Sequence, residues 1–194
     1  RAMADKVRVG VIGVGYLGRF HALIYSRMAD VELVGVVDTD PHRAREVAAE
    51  AGCRVFADAE QLAAAVDAVS VVVPTTAHLE VAAPLLCRRV HMLLEKPIAA
   101  TVEEGREIVR LAESSGAILQ IGHVERFNAG VMALAELITE PCYIEAQRMG
   151  GFVERATDVD VVSDLMIHDI DIILSLVGAE ISHISALGSP VLTE

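Results

Sequence analysis

The first 122 residues alternate between short apolar runs and longer segments in which apolar residues recur at helical spacing. Because the apolar runs are short, continuous and rich in β-branched residues, they predict strands buried on both faces. We expect six such strands, over residues 7–12, 32–37, 55–56, 68–73, 90–94 and 117–121. The alternation predicts an α/β domain, a Rossmann doubly wound parallel sheet, over residues 1–122.

Start and stop signals delimit the helices between these strands. Pro41 begins a helix that Gly52 ends, and Asp58 is placed to cap the next one. Thr101 and Glu104 have the spacing of a capping box, which predicts the start of a helix that runs to residue 115.

The pattern changes after residue 122. Helical spacing covers residues 125–138 and again 160–176, and the second of these helices is closed by Gly178. Residues 142–149 alternate between polar and apolar side chains, as in a strand with one solvated face, and 181–187 resemble a second such strand. Two strands make a poor sheet alone. We therefore expect residues 123–194 to be the N-terminal part of an α+β substrate and oligomerisation domain with an open, mostly antiparallel sheet, its C-terminal remainder absent.

Composition narrows the function classes. Hydrophobic residues make up 53% and charged residues 23%, which excludes disorder as the main state. A formal charge of −12 disfavours binding to a nucleic-acid backbone, and no apolar run is long enough to span a bilayer. The three cysteines are scattered, which is typical of a reducing cytoplasm rather than of a disulfide framework.

A glycine-rich turn follows the first strand and opens a helix. Its G-x-G-x-x-G pattern predicts a dinucleotide site with the pyrophosphate over the helix N-terminus. The candidate cofactor residues here are Gly13, Gly15, Tyr16, Leu17 and Gly18. Asp38, at the end of the second strand, is placed to bind the ribose hydroxyls and favours NAD over NADP. The alternative is a structural turn beside an ordinary loop aspartate. Arg43 could soften the preference for NAD, but we expect it on the solvated face of the next helix.

Two further groups follow the ends of central strands, where ligands bind in open α/β sheets. Thr75 and His78 lie after the fourth strand, and Glu95 and Lys96 lie after the fifth. We expect the lysine to point into the cofactor crevice. The plainer alternatives are a helix cap for Thr76 and a surface position for Lys96.

A third group lies on the helix predicted over 160–176. Asp164, His168 and Asp171 are spaced at i, i+4 and i+7, so they share one helix face. A histidine near a carboxylate suits proton transfer, and we expect Asp164 to orient His168. The alternatives are a core histidine and a zinc site, but no third ligand has convincing spacing, so we assign no metal.

His123 and Arg126 come directly after the sixth strand and could reach the crevice. Arg126 could bind an anionic substrate group such as a phosphate. The alternative is a helix start in which Glu125 favours the first turn and Arg126 is solvated.

In this order, these motifs resemble the Gfo/Idh/MocA oxidoreductases. The resemblance rests on the glycine turn, Asp38, the Thr75/His78 loop, Glu95-Lys96-Pro97 and the Asp164…His168 helix. It implies a Rossmann domain followed by an α/β domain whose open sheet commonly forms the interface of a homo-oligomer. The implied substrates are sugars, cyclitols or nucleotide sugars.

The resemblance also implies residue roles. Lys96 would lie by the nicotinamide and activate the substrate hydroxyl, His168 would transfer the proton, and Asp164 would face the substrate. The implied cofactor residues include Thr75, His78, Glu95 and Lys96, and the implied substrate residues are Lys96, His123, Arg126, Asn128, Asp164 and His168. Pro97 is expected to follow a cis bond.

The segments 122–128 and 164–171 further resemble the branch of UDP-N-acetylglucosamine 3-dehydrogenases, which supplies lipid A variants. This implies NAD-dependent oxidation of the sugar 3-hydroxyl by a cytoplasmic enzyme without nucleic-acid or membrane partners. The alternatives are a cyclitol or free-sugar dehydrogenase, a non-catalytic NAD-binding regulator and a purely structural fragment.

Overall fold

A computed structural model describes residues 6–149 and 160–189. Six strands form one sheet in which every neighbouring pair is parallel. They are β1 (Val7–Ile12), β2 (Val31–Val37), β3 (Arg54–Val55), β4 (Ala68–Val71), β5 (His91–Leu94) and β6 (Leu119–Ile121), in the order β3-β2-β1-β4-β5-β6. This confirms the predicted doubly wound parallel sheet.

Helices cover both faces of this sheet. They are α1 (Tyr16–Tyr25), α2 (Pro41–Ala51), α3 (Ala59–Ala63), α4 (His78–Cys87) and α5 (Val102–Ser115). The predicted capping box of α5 is present, with Thr101 accepting from the Glu104 amide and the Glu104 carboxylate accepting from the Thr101 amide. Asp58 caps α3 as predicted, and Gly52 ends α2 in the left-handed conformation. Local capping chemistry therefore delimits the helices that cover the sheet.

The core divides into one cluster on each side of the sheet. Leu62, Leu85 and Ile108 pack one face against α3, α4 and α5, and none of their surface is exposed. Val11 and Val47 belong to the cluster under α1 and α2. These buried side chains stabilise the sheet whose strand ends form the crevice, because truncating a buried leucine to alanine lowers the free energy of unfolding by about 2–5 kcal/mol.

Strand order places the crevice. The chain runs from β1 outward to β2 and β3, then returns to β4 on the other side of β1. The loops after β1 and β4 therefore diverge at the carboxyl edge of the sheet, which is where open α/β sheets bind ligands.

Two further helices follow the sheet. The predicted helix over 125–138 divides into a 3₁₀ turn (Val124–Phe127) and α6 (Ala129–Leu137). The helix predicted over 160–176 consists of a π-helical turn (Val162–Met166) continued by α7 (Ile167–Val177), and Gly178 ends it at a φ of 61°. No helix among the described residues is long and apolar enough to cross a membrane.

The two strands predicted beyond residue 140 are not formed in the described ranges. Residues 142–149 and 181–187 are irregular, and most of their side chains are exposed. Alternation predicts a strand only where a partner supplies hydrogen bonds, and within 6–149 and 160–189 neither segment pairs with another. The assignment of residues 123–194 to a separate domain stays a prediction.

Candidate active site

The glycine turn between β1 and α1 is shaped by close backbone approaches. Gly13 has a φ of +82°, and a Cβ there would lie 2.4 Å from the carbonyl oxygen of Val72. A Cβ on Gly18 would lie 1.8 Å from the carbonyl oxygen of Gly13. At Gly15 a Cβ would meet nothing within 4 Å. Packing therefore requires the first and third glycines, whereas the second borders open space.

That open space lies over the amino end of α1. Gly15 is the N-cap of α1 and provides no side-chain cap, and the first turn contains no acidic residue. The first amide groups of a helix lack intrahelical partners and carry a partial positive charge. The turn therefore fits an anionic group such as a pyrophosphate.

Asp38 is anchored at the end of β2. Its Oδ2 accepts from the Val14 amide at 2.7 Å and its Oδ1 accepts from the Asp40 amide at 2.8 Å. We expected Arg43 to be solvated. Instead, its Nη1 lies 3.5 Å from Asp38 Oδ1, and the side chain also pairs with Asp40. Helix α2 begins at Pro41, so its first turn brings Arg43 back over these carboxylates.

A crevice of about 720 Å³ joins the predicted groups. Its lining includes residues of the glycine turn, Asp38, Thr75, Glu95, Lys96 and Asp164. The carboxyl ends of β1, β2, β4 and β5 thus bring most of the predicted cofactor residues together. Pro97, which follows a cis bond as expected, also lines the crevice.

His78 lies behind the crevice rather than in it. The residue is 1% exposed, and its Nε2 and Nδ1 lie 3.1 Å and 3.2 Å from the carbonyl oxygens of Val73 and Ile98. The predicted direct contact of His78 with a cofactor is therefore not supported, because the core encloses its ring. Thr76 does not cap α4, whose N-cap is Ala77.

Glu95 is held by a polar network that sequence reasoning missed. Its Oε1 lies 3.2 Å from His21 Nε2, and His21 Nδ1 lies 3.1 Å from Ser70 Oγ. Tyr25 Oη lies 2.7 Å from the same serine oxygen. The sequence signal for this network is Ser70, which is a completely buried polar residue in an otherwise apolar strand. Buried polar groups require partners.

Lys96 and Asp164 are brought together from positions 68 residues apart. Lys96 Nζ donates to Asp164 Oδ1 at 3.0 Å and to the Asp164 carbonyl oxygen at 2.8 Å. The two side chains are 15% and 30% exposed. The predicted catalytic lysine is therefore directed into the crevice and paired, rather than solvated at the surface.

His168 lies one turn further along the same helical segment and is half-buried. Its pKa is lowered, mainly by burial and then by the charges of Lys96 and Arg148. Its Nδ1 is buried and has no hydrogen-bond partner among the described residues. We expected Asp164 to orient this ring, but the Asp164 carboxylate binds Lys96 instead. A lowered pKa keeps the imidazole neutral near pH 7 and able to accept a proton.

Two arginines pair with carboxylates of α7. Arg126 donates through Nε and Nη2 to Asp171, and Arg148 donates to Asp169 at 2.9 Å and 2.8 Å. These guanidinium groups hold the pKa of both carboxyls below its usual range. Arg126 is thus not simply solvated, and no sequence signal identified Arg148.

The remaining predicted substrate residues are His123 and Asn128, and like Arg126 and His168 they do not line the crevice. His123 Nδ1 is buried and has no partner within the described part of the chain. Asn128 caps α6, because its Oδ1 accepts from the Gly130 amide at 2.9 Å. The oxygen of Asn128 thus caps the helix, and its amide nitrogen has two N–H groups that can bind a ligand.

The fold and the crevice define a class: a Rossmann-type dinucleotide-binding domain with a lysine–carboxylate pair beside the cofactor position. The profile of the oxidoreductase family with an NAD-binding Rossmann fold, Gfo/Idh/MocA, matches residues 7–123. The chain belongs to this family.

Curated relatives show which members of the family this chain resembles. The chain is 43% identical over 189 residues to UDP-N-acetylglucosamine 3-dehydrogenase of Acidithiobacillus ferrooxidans, covering 97% of this chain and 60% of that protein. It is 32% identical over 185 residues to inositol 2-dehydrogenase of Rhizobium meliloti, covering 90% of this chain and 56% of the relative. The chain thus spans about three fifths of the length of the relatives it matches.

Solved structures agree. The structure of UDP-N-acetylglucosamine 3-dehydrogenase from Acidithiobacillus ferrooxidans superposes with a TM-score of 0.91 at 43% identity, over 98% of this chain and 63% of that one. GenD2 from gentamicin A biosynthesis in complex with NAD superposes with a TM-score of 0.67 at 26% identity, over 72% and 40% of the two chains.

Proposed function

We propose that this chain is part of an NAD-dependent dehydrogenase that oxidises the 3-hydroxyl of UDP-N-acetylglucosamine. The observation that carries the proposal is the Lys96–Asp164 pair, which lies in the same crevice as the glycine turn and Asp38. The 43% identity to a protein of that activity supports the substrate. Residues 1–122 form the cofactor domain of this proposal, and 123–194 begin the substrate domain.

The residues present fit a nicotinamide dinucleotide. The space above Gly15 and the amino end of α1 suit the pyrophosphate, and Asp38 suits the adenosine ribose. Thr75, Glu95 and Lys96 line the part of the crevice in which the nicotinamide would lie. When bound, the nicotinamide ring accepts the hydride. NAD is preferred to NADP in this proposal because the Asp38 carboxylate repels a 2′-phosphate.

Lys96 acts on the reacting oxygen in the proposed mechanism. Its ammonium group donates a hydrogen bond to the substrate hydroxyl and stabilises the negative charge that develops on that oxygen. Asp164 holds the lysine at 3.0 Å through a charge-assisted hydrogen bond. The pair therefore presents a directed donor instead of a mobile surface amine.

His168 receives the proton. Oxidation breaks the hydroxyl O–H and the adjacent C–H bond and forms a carbonyl, so the oxygen must lose its proton as the hydride departs. His168 accepts this proton at Nε2, since Nδ1 is enclosed. Its lowered pKa, caused mainly by burial, keeps the ring unprotonated before the reaction.

His123 and Arg126 are proposed to bind the nucleotide diphosphate. Asp171 engages Nε and Nη2 of Arg126, which leaves the two N–H groups of Nη1 for a phosphate. Asn128 contributes through its amide nitrogen. These local donors are needed because the overall charge of −12 repels an anionic substrate.

A cyclitol is the second candidate substrate, because a relative at 32% identity is an inositol 2-dehydrogenase. The test is NADH formation by the full-length protein with UDP-N-acetylglucosamine, other UDP-sugars and myo-inositol. We expect turnover with the first compound. Turnover with myo-inositol alone would favour the cyclitol dehydrogenase, and binding of NAD without turnover would favour the regulator.

The cellular context is also part of the proposal. The free cysteines Cys53, Cys87 and Cys142 support residence in a reducing cytoplasm. We further propose a homo-oligomer assembled through the sheet of the substrate domain, and a product used for lipid A variants. Size-exclusion chromatography with light scattering of the full-length protein tests the assembly, and a monomer would contradict it.

A further inference from the structure

The loop that carries Lys96 is held at both ends by histidines that lie outside the crevice. The loop consists of residues 95–98, the first four residues of the connection 95–101 between β5 and α5. His21, from α1, contacts its first residue, and His78, from α4, contacts its last. Neither histidine lines the crevice. We name His21 and His78 the histidine clamp.

His78 connects the loop to the end of β4. Its two ring nitrogens lie within hydrogen-bond distance of the carbonyl oxygens of Ile98 and Val73. Val73 itself lines the crevice. Because the ring is 1% exposed and lies in the core, it cannot swing away to solvent. The ring therefore fills the space between two loops that border the crevice, and an imidazole with one N–H donates to one of the two carbonyl oxygens while packing against the other.

His21 fixes the other end of the loop through Glu95. A consistent donor order runs from Tyr25 Oη to Ser70 Oγ, from there to His21 Nδ1, and from His21 Nε2 to Glu95 Oε1. The Glu95 carboxylate also packs closely against Gly122, where an added Cβ would lie 2.8 Å from Oε1. The first residue of the loop is thus confined by both His21 and Gly122.

Lys96 bonds two acceptors of the same residue at once, and its side chain is only 15% exposed. Its Nζ lies 2.8 Å from the carbonyl oxygen and 3.0 Å from Oδ1 of Asp164. Both distances lie within the usual range of about 2.7–3.2 Å, so a loop shift of about 1 Å that the side chain does not take up lengthens at least one of these bonds beyond that range. We propose that His21 and His78 are positioning residues that hold residues 95–98 where Lys96 engages Asp164. The inference rests on the proposed function only for the role of Lys96 in turnover.

The test uses the scarcity of lysine. Residues 1–194 contain two lysines, Lys6 and Lys96. Full-length protein is produced with lysine labelled with ¹³C at Cε, and the Lys96 signal is assigned by its loss in Lys96→Arg. The Asp164→Ala variant shows where the Lys96 signal lies when the lysine has no carboxylate partner. This spectrum reports the lysine environment without any substrate.

The clamp predicts a specific pair of results. In His21→Leu and in His78→Leu, the Lys96 signal moves toward its position in Asp164→Ala, while the Lys6 signal stays. Turnover falls at least about tenfold, since a displacement near 1 Å can cost about 100-fold, while the NADH dissociation constant changes less than about twofold. Glutamine at either position keeps one hydrogen-bonding amide. The Lys96 signal therefore returns part of the way to its wild-type position, and part of the turnover is regained.

His91→Leu is the matched control. His91 lies at the opposite end of β5 and also bonds a backbone group through its ring, accepting from the Ile118 amide at 3.0 Å. Its loss leaves the Lys96 signal and turnover unchanged. If the leucine variants of the clamp do not fold, the glutamine variants decide the test through the same signal.

An unmoved Lys96 signal in folded clamp variants would overturn the inference, even if turnover fell. Equal movement in His91→Leu would also overturn it, because the effect would then be general. If the wild-type protein turns over no UDP-sugar, the proposed function fails, and the spectrum still decides whether the clamp positions Lys96.

Discussion

The Lys96–Asp164 pair offers a prediction whose size follows from the structure. We expect a double-mutant cycle of Lys96→Met and Asp164→Ala to give a coupling energy in unfolding of about 1.5–3 kcal/mol, the usual value of a hydrogen bond to a charged group. The uncompensated attraction at 3.0 Å is larger, about 5–6 kcal/mol at an effective dielectric constant near 20. Desolvation of the two mostly buried groups offsets most of it.

The backbone contact places the coupling toward the lower end of this range. Lys96 Nζ also donates to the Asp164 carbonyl oxygen, and that acceptor survives in Asp164→Ala. Removing the carboxylate therefore leaves the ammonium group one of its two partners, so we expect about 1.5–2 kcal/mol.

Urea unfolding followed by far-ultraviolet circular dichroism is the assay, because the chain has no tryptophan. The matched control is the Glu107–Arg110 pair on α5, which lies at 2.6 Å but has side chains 42% and 61% exposed. We expect that pair to couple only weakly, because solvent screens exposed charges. A Lys96–Asp164 coupling no larger than the control would refute the argument that partial burial makes this pair strong and fixes the lysine.

Three further predictions test the cofactor site and the proton acceptor. Asp38→Ser should weaken NADH binding at least about tenfold, because it removes hydrogen bonds to a charged group worth about 1.5–3 kcal/mol. It should also reduce the preference of the protein for NADH over NADPH. If fluorescence titrations with both cofactors were unchanged, the assignment of Asp38 to the cofactor site would be wrong. Gly18→Ala should abolish NADH binding, because its Cβ would lie 1.8 Å from the Gly13 carbonyl oxygen. Gly52→Ala is the control: its Cβ would meet nothing within 4 Å, so the substitution should strain only the end of α2, where φ is +72°, and leave NADH affinity intact. His168 must be neutral to accept a proton, and its pKa is lowered from 6.5, so the midpoint of the acid limb of kcat/KM for oxidation should lie below pH 6.5. His168→Gln should lose that acid limb, and a limb that persists unchanged would assign it to another group.

Local rules predicted the parts of the fold that depend on local chemistry. The glycine turn, the Thr101 capping box and the end of α7 at Gly178 each depend on residues within a few positions of one another. Lys96 was expected at the crevice because it follows a strand end, and Asp164 because of the family resemblance, but their pairing was not expected, since Asp164 was assigned to orient His168.

Side-chain directions and long-range pairing could not be predicted in this way. Sequence placed His78 in the crevice because it follows β4, but the first turn of α4 directs its ring into the core. Arg43 was assigned to solvent because helix periodicity does not show the carboxylates across its first turn. The alternation over 142–149 indicated a strand, yet a strand depends on a partner segment that a local pattern does not specify.

Transfer of the hydrogen at C3 of the sugar tests the central claim most directly. Full-length protein is incubated with NAD and UDP-N-acetylglucosamine carrying deuterium at C3, and the reduced cofactor is analysed by mass spectrometry. The account predicts one deuterium in the reduced cofactor, with Lys96→Met producing little of it although NADH still binds. Reduced cofactor without deuterium, or equal yields from Lys96→Met, would contradict the proposed reaction at this crevice.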